Sequence, residues 1–209
     1  TGDMADDEGS YTPAVRLGKN LVNIAPTYAV NGNHELWRSD YSKFEAALRD
    51  AGVHTMSNIS IPISRGNAKI ILSGIDDPFT RDGFKMVNRV EEELSQIHVD
   101  RNFYNILLFH RANMLDIFKD KGFDLILAGH MHGGQFRLPN GRGIIAPRSG
   151  WGSNSPILFP KYFAGHYEHS DGTQMIVNRG LGNPMIIPRL FNRPEITVII
   201  LKHEKGEKK

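Results

Sequence analysis

The sequence predicts an α/β domain, and three observations predict it. Two continuous apolar runs, Asn105-Ile106-Leu107-Leu108-Phe109 and Asp124-Leu125-Ile126-Leu127-Ala128, read as strands buried on both faces. Segments of helical period stand between these and the shorter strands, the alternation expected of sheets covered by helices. The chain has 209 residues, 40% of them hydrophobic and 23% charged, and a chain of that size buries about 70% of its unfolded surface without a disulfide or metal staple. No repeat, low-complexity stretch or linker divides it, so residues 1–209 read as one domain.

The elements follow in order. Pro13 to Ile24 places Val15, Leu17, Leu21, Val22 and Ile24 on one side at helical spacing. Thr27-Tyr28-Ala29-Val30 is a short strand that runs into Asn31-Gly32-Asn33-His34. Ser42 and Glu45 have the spacing of a capping box, which predicts a helix running to about Asp50 and stopped by Gly52. Val53 to Ser57, Ile59 to Ile63 and Lys69 to Ser73 read as three strands between turn residues. Met86 to Ile97, with Glu91, Glu92 and Glu93, is an acidic amphipathic helix, and a further helix covers about Met114 to Lys121 between the two buried runs. Beyond His132 the chain is rich in Gly, Pro and short strands: Tyr162 to Val177 reads as a hairpin around Ser170-Asp171-Gly172, and Ile196 to Leu201 as a last strand. Lys202 to Lys209 reads as a solvated tail.

Composition excludes several classes. Lysine plus arginine, 25, nearly balances aspartate plus glutamate, 23, so no basic stripe announces a nucleic-acid or membrane surface. With no cysteine there is no disulfide or thiolate chemistry. No run approaches 18 apolar residues, and no targeting segment is present. Nine histidines are the one hint: a metal here takes nitrogen and oxygen ligands.

Three apolar runs end on polar residues. Val30 leads to Gly32-Asn33-His34-Glu35, Phe109 to His110-Arg111, and Ala128 to Gly129-His130-Met131-His132. Functional groups in open α/β sheets gather beyond the carboxyl ends of strands, and Asp3, with Asp6 and Asp7 behind it, fits the same role. Each piece alone has a plainer reading: a turn and cap at Gly32–Glu35, a hydrogen-bonded core histidine at His110, a chance pair at His130 and His132. In extended backbone that last pair would share a face. Taken together, Asp3, Asn33, His34, His110, His130 and His132 combine hard oxygen donors with imidazole, which suits Mn, Fe or Zn. The donors exceed the needs of one tetrahedral ion and would serve a pair.

Gly2-Asp3-Met4-Ala5-Asp6, Gly32-Asn33-His34-Glu35, His110 and Gly129-His130-Met131-His132 stand in the order and spacing of the calcineurin-like metallophosphoesterases, which the chain resembles from Thr1 to His132. Gly133-Gly134-Gln135, Asn178-Arg179-Gly180-Leu181-Gly182 and Pro188 to Glu195 resemble the bacterial membrane-associated or exported branch, which includes pyrophosphatases of UDP-linked diacylglucosamine. The resemblance implies a four-layer α/β/β/α sandwich of two mixed sheets. It implies Asp3 bridging two divalent ions, Asn33, His110 and His130 completing one site, and His132 serving the other. His34 would then donate a proton to the leaving oxygen, with Glu35 holding it in orientation, while a hydroxide held by the ions attacks phosphorus. The expected activity is hydrolysis of a phosphodiester, phosphomonoester or pyrophosphate in a small-molecule or lipid-linked substrate; the alternatives are a non-catalytic scaffold on the same fold and a nuclease.

The family's first block, Asp-x-His, occurs nowhere in the sequence. Asp3 has only Thr1 and Gly2 before it, so the expectation is that the native chain carries further strands, the missing block and a membrane-associating segment upstream. Asp76-Asp77-Pro78 reads as a turn or as an approach to the site. Arg111 and Arg179 suit phosphate binding or structural pairing, and Gln135 a substrate contact. Trp151 suits a lid or a loop anchor. His54, His98, His166, His169 and His203 have no recruiting spacing.

Overall fold

A computed structural model describes residues 1–79, 83–147, 157–182 and 188–202 of the chain. Its elements are α1 (Thr12–Val22), β1 (Tyr28–Ala29), α2 (Asn33–Trp37), α3 (Tyr41–Asp50), β2 (His54–Thr55), β3 (Ile59–Arg65), β4 (Ala68–Gly74), α4 (Gly83–Gln96), β5 (Tyr104–Arg111), β6 (Leu125–Gly129), β7 (Ile145–Ala146), β8 (Ile157–Leu158), β9 (Gly165–Glu168) and β10 (Gln174–Val177), with 3₁₀ turns at Ala112–Phe118 and His132–Gly134.

Strand alternation builds four layers. Along β5, Leu107 and Phe109 face one side while Ile106 and Leu108 face the other, and on β6 Ile126 and Ala128 alternate in the same way with Leu125 and Leu127. The first set packs with Met86 and Val90 of α4 and with Met114, Leu115 and Phe118 of the 3₁₀ segment. The second set packs with Tyr28, Val30 and Met56 from the β1–β2 ribbon. That ribbon turns Ala29 and Val53 outward onto Phe44 and Leu48 of α3 and Val15 of α1. Each inner face is therefore apolar with period 2 and each helix face with period 3.6. The resulting order is helices, parallel pair, large sheet, helices, the four-layer α/β/β/α arrangement.

The large sheet runs β3-β4-β5-β6-β10-β9, with β4, β5, β6 and β10 parallel and the edge strands β3 and β9 antiparallel. Pro62, which donates no ladder bond, sits on the edge strand β3. Because the central strands are parallel, their carboxyl ends open on one side. The β5–β6 register shifts between Leu108 and Arg111, where Leu108 opposes Leu127 and Arg111 opposes Gly129. Two residues on β5 thus stand against one on β6, a bulge that re-aims His110 at the sheet end.

Four sequence-based expectations are corrected. Ser42 makes no cap: α3 begins at Tyr41, because the Asp40 carbonyl accepts Phe44 N–H at 3.1 Å while its carboxylate is held by Arg38 Nε at 2.9 Å. Of Val53 to Ser57 only His54–Thr55 pairs, since its one partner, β1, is two residues long. The helix expected at Met114 to Lys121 is a 3₁₀ segment at Ala112–Phe118, kinked at Met114. Ile196 to Leu201 forms no ladder with the described residues. It keeps a strand's alternation, with Thr197 and Ile199 half-buried and Ile196, Val198 and Ile200 exposed, but no backbone among the described residues accepts its hydrogen bonds.

Candidate metal centre

The site is assembled from three sheet ends and the first loop. His110, at the bulged end of β5, donates through Nδ1 to the Thr1 carbonyl at 2.7 Å, because a carbonyl can only accept. That fixes Nε2 toward the interior, 3.0 Å from Asp3 Oδ2 and 3.1 Å from His130 Nδ1. The ligand atoms of Asp3, His110 and His130 all lie within 4.8 Å of one another. Asn33 opens α2 and is buried, and its Oδ1 has no hydrogen-bond partner among the described residues, while Asp3 Oδ2 faces the His110 ring.

Two glycines make the approach possible. Gly2 has φ +80°, and a Cβ on it would stand 2.5 Å from His110 Nδ1. A Cβ on Gly32 would meet the Asp3 carboxylate and stand 2.8 Å from His110 Cε1. Asp3 itself takes the left-handed region at φ 52°, a conformation that aspartate tolerates better than most residues.

The electrostatics belong to a site short of positive charge. Burial raises the Asp3 pKa, but His110 beside it, with His130 and His34 further off, more than offsets this and holds the carboxyl well below its ordinary range. Burial works to lower His110, and the Asp3 charge and hydrogen bond more than offset that and raise it. Two buried lone-pair oxygens and two inward imidazoles at these distances call for a proton or a cation between them. The residues present therefore fit a divalent ion, to which Asp3, His110 and His130 can offer close-set donor atoms.

His132 lies near enough to feel Asp3, His110 and His34, yet it is not part of that close trio. Burial, reinforced by Arg189, His110 and His34, pushes its imidazole down to about 4 against the opposing pull of Asp3. The expectation that His130 and His132 share a face of extended backbone is overturned. Both have positive φ, 68° and 48°, and His132 opens a 3₁₀ turn whose carbonyl is held by Asn192 Nδ2 at 2.7 Å and Arg189 Nη1 at 3.3 Å.

His34 points its Nδ1 at Asp6 Oδ1, 3.0 Å away, with Asp7 Oδ1 at 3.6 Å, and its ring lies 4.5 Å from that of Trp37. Glu35 does not orient it. The Glu35 carboxylate is fully buried and accepts backbone N–H groups from Gly32 and Asp3 on Oε2, both at 2.7 Å, and from Met4 and Ala5 on Oε1, at 2.6 and 3.0 Å. A buried carboxylate must be satisfied, and on a five-residue helix the nearest donors are the loop amides, not the half-exposed ring of the preceding residue.

The sequence offers Asp77 as a turn or an approach to the site and Asp6 as a companion of Asp3, without showing what either holds. Asp77 is fully buried and holds Arg111 through two bonds, Nε at 2.6 Å and Nη2 at 3.0 Å, and Arg111 Nη1 stands 3.4 Å from His130 Nε2. Arg111 is thus a structural partner behind the site, and Arg179 likewise pairs with Glu195 at 2.8 Å. The signal for Asp6 was its place three residues after Asp3 in the same block. His54 stacks on Tyr28, His166 contacts Gln174 and His169 contacts Asp171, all away from the trio. Trp151 lies outside the described residues.

The chain is similar to known proteins along most of its length. A family model described as calcineurin-like phosphoesterase matches residues 1–134. The chain is 27% identical over 203 residues to the uncharacterized metallophosphoesterase YkoQ of Bacillus subtilis, covering 94% of this chain and 69% of that protein. It is 31% identical over 217 residues to a bovine (Bos taurus) transmembrane protein with metallophosphoesterase domain, covering 96% and 44%. It is 26% identical over 183 residues to the phosphodiesterase YaeI of Escherichia coli, covering 87% and 60%. The chain thus spans between 44% and 69% of the length of these relatives.

Proposed function

Because the chain belongs to the calcineurin-like phosphoesterase family, which implies divalent metal and phosphoester hydrolysis, we propose that it is a dinuclear phosphodiesterase or pyrophosphatase acting on a small-molecule or lipid-linked phosphate. The observation that carries this reading is the meeting of Asp3, His110 and His130, with the buried Asn33 Oδ1 left without a hydrogen-bond partner among the described residues. Asp3, Asn33, His110 and His130 would hold one ion, and Asp3 with His132 would contribute to a second. Such ions supply Lewis acidity toward a phosphoryl group and a nucleophile at neutral pH.

The chain's own residues do the rest. The Asp6 carboxylate accepts only, so His34 carries its hydrogen on Nδ1 and is held by it. Nε2 is then the nitrogen left to exchange a proton with the leaving oxygen. Asp6 at 3.0 Å and Asp7 at 3.6 Å hold the ring in that orientation. Asp77 and Arg111 back His130, and Glu35 fixes the Asp3 loop against α2.

The test is metal content together with Mn-dependent hydrolysis of bis-p-nitrophenyl phosphate. His130→Ala is expected to lose both metal and activity. His34→Ala is expected to keep the metal and to lose about 10²–10⁴-fold in kcat. Full activity in chelator overturns the hydrolytic reading, and bound metal with no turnover against any phosphoester favours the scaffold.

A further inference from the structure

From Leu125 to Tyr167, and again from Gly172 to Pro194, the chain contains no Asp or Glu, while Arg137, Arg142, Lys161, Arg179, Arg189 and Arg193 fall in those stretches. A chain of formal net charge +2 thus concentrates all of its 23 acidic residues elsewhere. The fold brings the two stretches together. Leu190 bridges Phe136, Arg137 bridges Gly143, the Ile144 carbonyl accepts Phe159 N–H at 2.8 Å, and β7 pairs with β8. The segment that carries Phe136 and Arg137 follows the His132–Gly134 turn, and the Gly134 carbonyl accepts Ile144 N–H at 3.3 Å.

On them Leu138, Leu158, Phe159, Leu190 and Phe191 are exposed, from 39% at Leu138 to 68% at Phe191. Basic groups lie across neighbouring rings, Arg142 5.4 Å from the centre of Phe159 and Lys161 4.6 Å from that of Tyr162. Two acids border this face: Asp116, which accepts from Tyr162 Oη at 3.3 Å, and Glu195, which pairs with Arg179 at 2.8 Å.

We propose that this face seats the protein on an anionic phospholipid bilayer, with Leu158, Phe159 and Phe191 entering the interface and Arg142 and Lys161 lying on lipid phosphates. Large apolar side chains interleaved with cations of one sign match a surface that is itself only apolar and negative. A protein partner presents both signs, and a nucleic acid offers nothing to the exposed aliphatic groups. Long basic side chains that lie along apolar surface keep their charge at the headgroup level. No helix among the described residues is long and apolar enough to cross a membrane, so the contact is interfacial. It stands apart from the hydrolytic reading, because an inactive protein would bind by the same face.

The experiment is flotation of the purified protein with vesicles of phosphatidylcholine alone or mixed with phosphatidylglycerol. Binding is expected only to the mixed vesicles and to weaken as salt rises. Phe159→Ser combined with Phe191→Ser is expected to cut it about tenfold, since interfacial binding scales with buried apolar area. Arg142→Gln with Lys161→Gln should flatten the salt dependence, and Ile24→Ser, at an 81% exposed apolar position on the C-terminal side of α1, should change nothing. Circular dichroism checks the fold, and Leu158→Ser, at a 66% exposed position, replaces the double variant if that fails to fold. Equal binding to phosphatidylcholine alone, retention of binding by the serine variants, or self-association in sedimentation that the same variants abolish would each overturn the proposal.

Discussion

Arg111 is almost fully buried, and its charge is tolerable only because Asp77 meets it with both carboxylate oxygens. Removing one partner of a buried pair leaves an uncompensated charge, which costs about 3–5 kcal/mol. Asp77→Ala is therefore expected to lower the urea midpoint sharply and to loosen His130, which Arg111 touches; an unchanged midpoint would contradict this. In the sequence, Asp76-Asp77-Pro78 looked like any acidic turn, since its partner lies 34 residues away. The candidate donors were legible, because Gly-Asn-His-Glu and Gly-His-x-His are local patterns. Their contacts, Asp6 on His34 and Asp77 on Arg111, were not, because each joins residues about thirty positions apart.

Between elements, Glu35 joins the start of α2 to the loop that carries Asp3. Its two oxygens accept four backbone N–H groups from two segments about thirty residues apart. Glu35→Gln keeps the shape but turns an amide toward two of those donors, and each buried unpaired group costs about 1–3 kcal/mol. Thermal melts are expected to show that loss, with metal content falling as the Asp3 loop loosens; a variant that melts and binds metal as the wild type does would exclude this role. The periods of β5 and β6 were readable as buried strands, whereas the bulge that turns His110 is a relation between two strands and has no signature in either. The segment from Ile196 shows the converse, because a strand's pattern makes no sheet without a neighbour to complete its hydrogen bonds.

Across the whole molecule, α4 covers the large sheet and buries Glu93, 5% exposed, toward Asp76 and Asp77. Burial pushes its carboxyl up to about 7 against the opposing pull of Arg89. A folded pKa above the unfolded one means that this group's contribution to stability is complete below about pH 4.5 and is lost as pH rises through about 7. Glu93→Gln removes that loss. Urea midpoints are expected to converge near pH 5 and to separate at pH 8, with the variant more stable by about 1–3 kcal/mol; a variant less stable at pH 8 would refute the assignment.

At the same scale, the charge balance in the composition concealed an acid-free face, because composition sums over the chain while folding sorts it in space. The sequence by itself determined the α/β class, the apolar periods of its strands and the set of candidate donors, since these are properties of neighbouring residues, while the four layers were what the family resemblance implied. Only the tertiary structure decided which nitrogen of His110 faces Asp3, what Glu35 and Asp77 hold, and where the basic and apolar side chains of the last third collect. Each of these depends on contacts between segments tens of residues apart, as far as the 109 residues between His110 and Thr1, and close packing of the folded chain, not spacing along it, sets those distances.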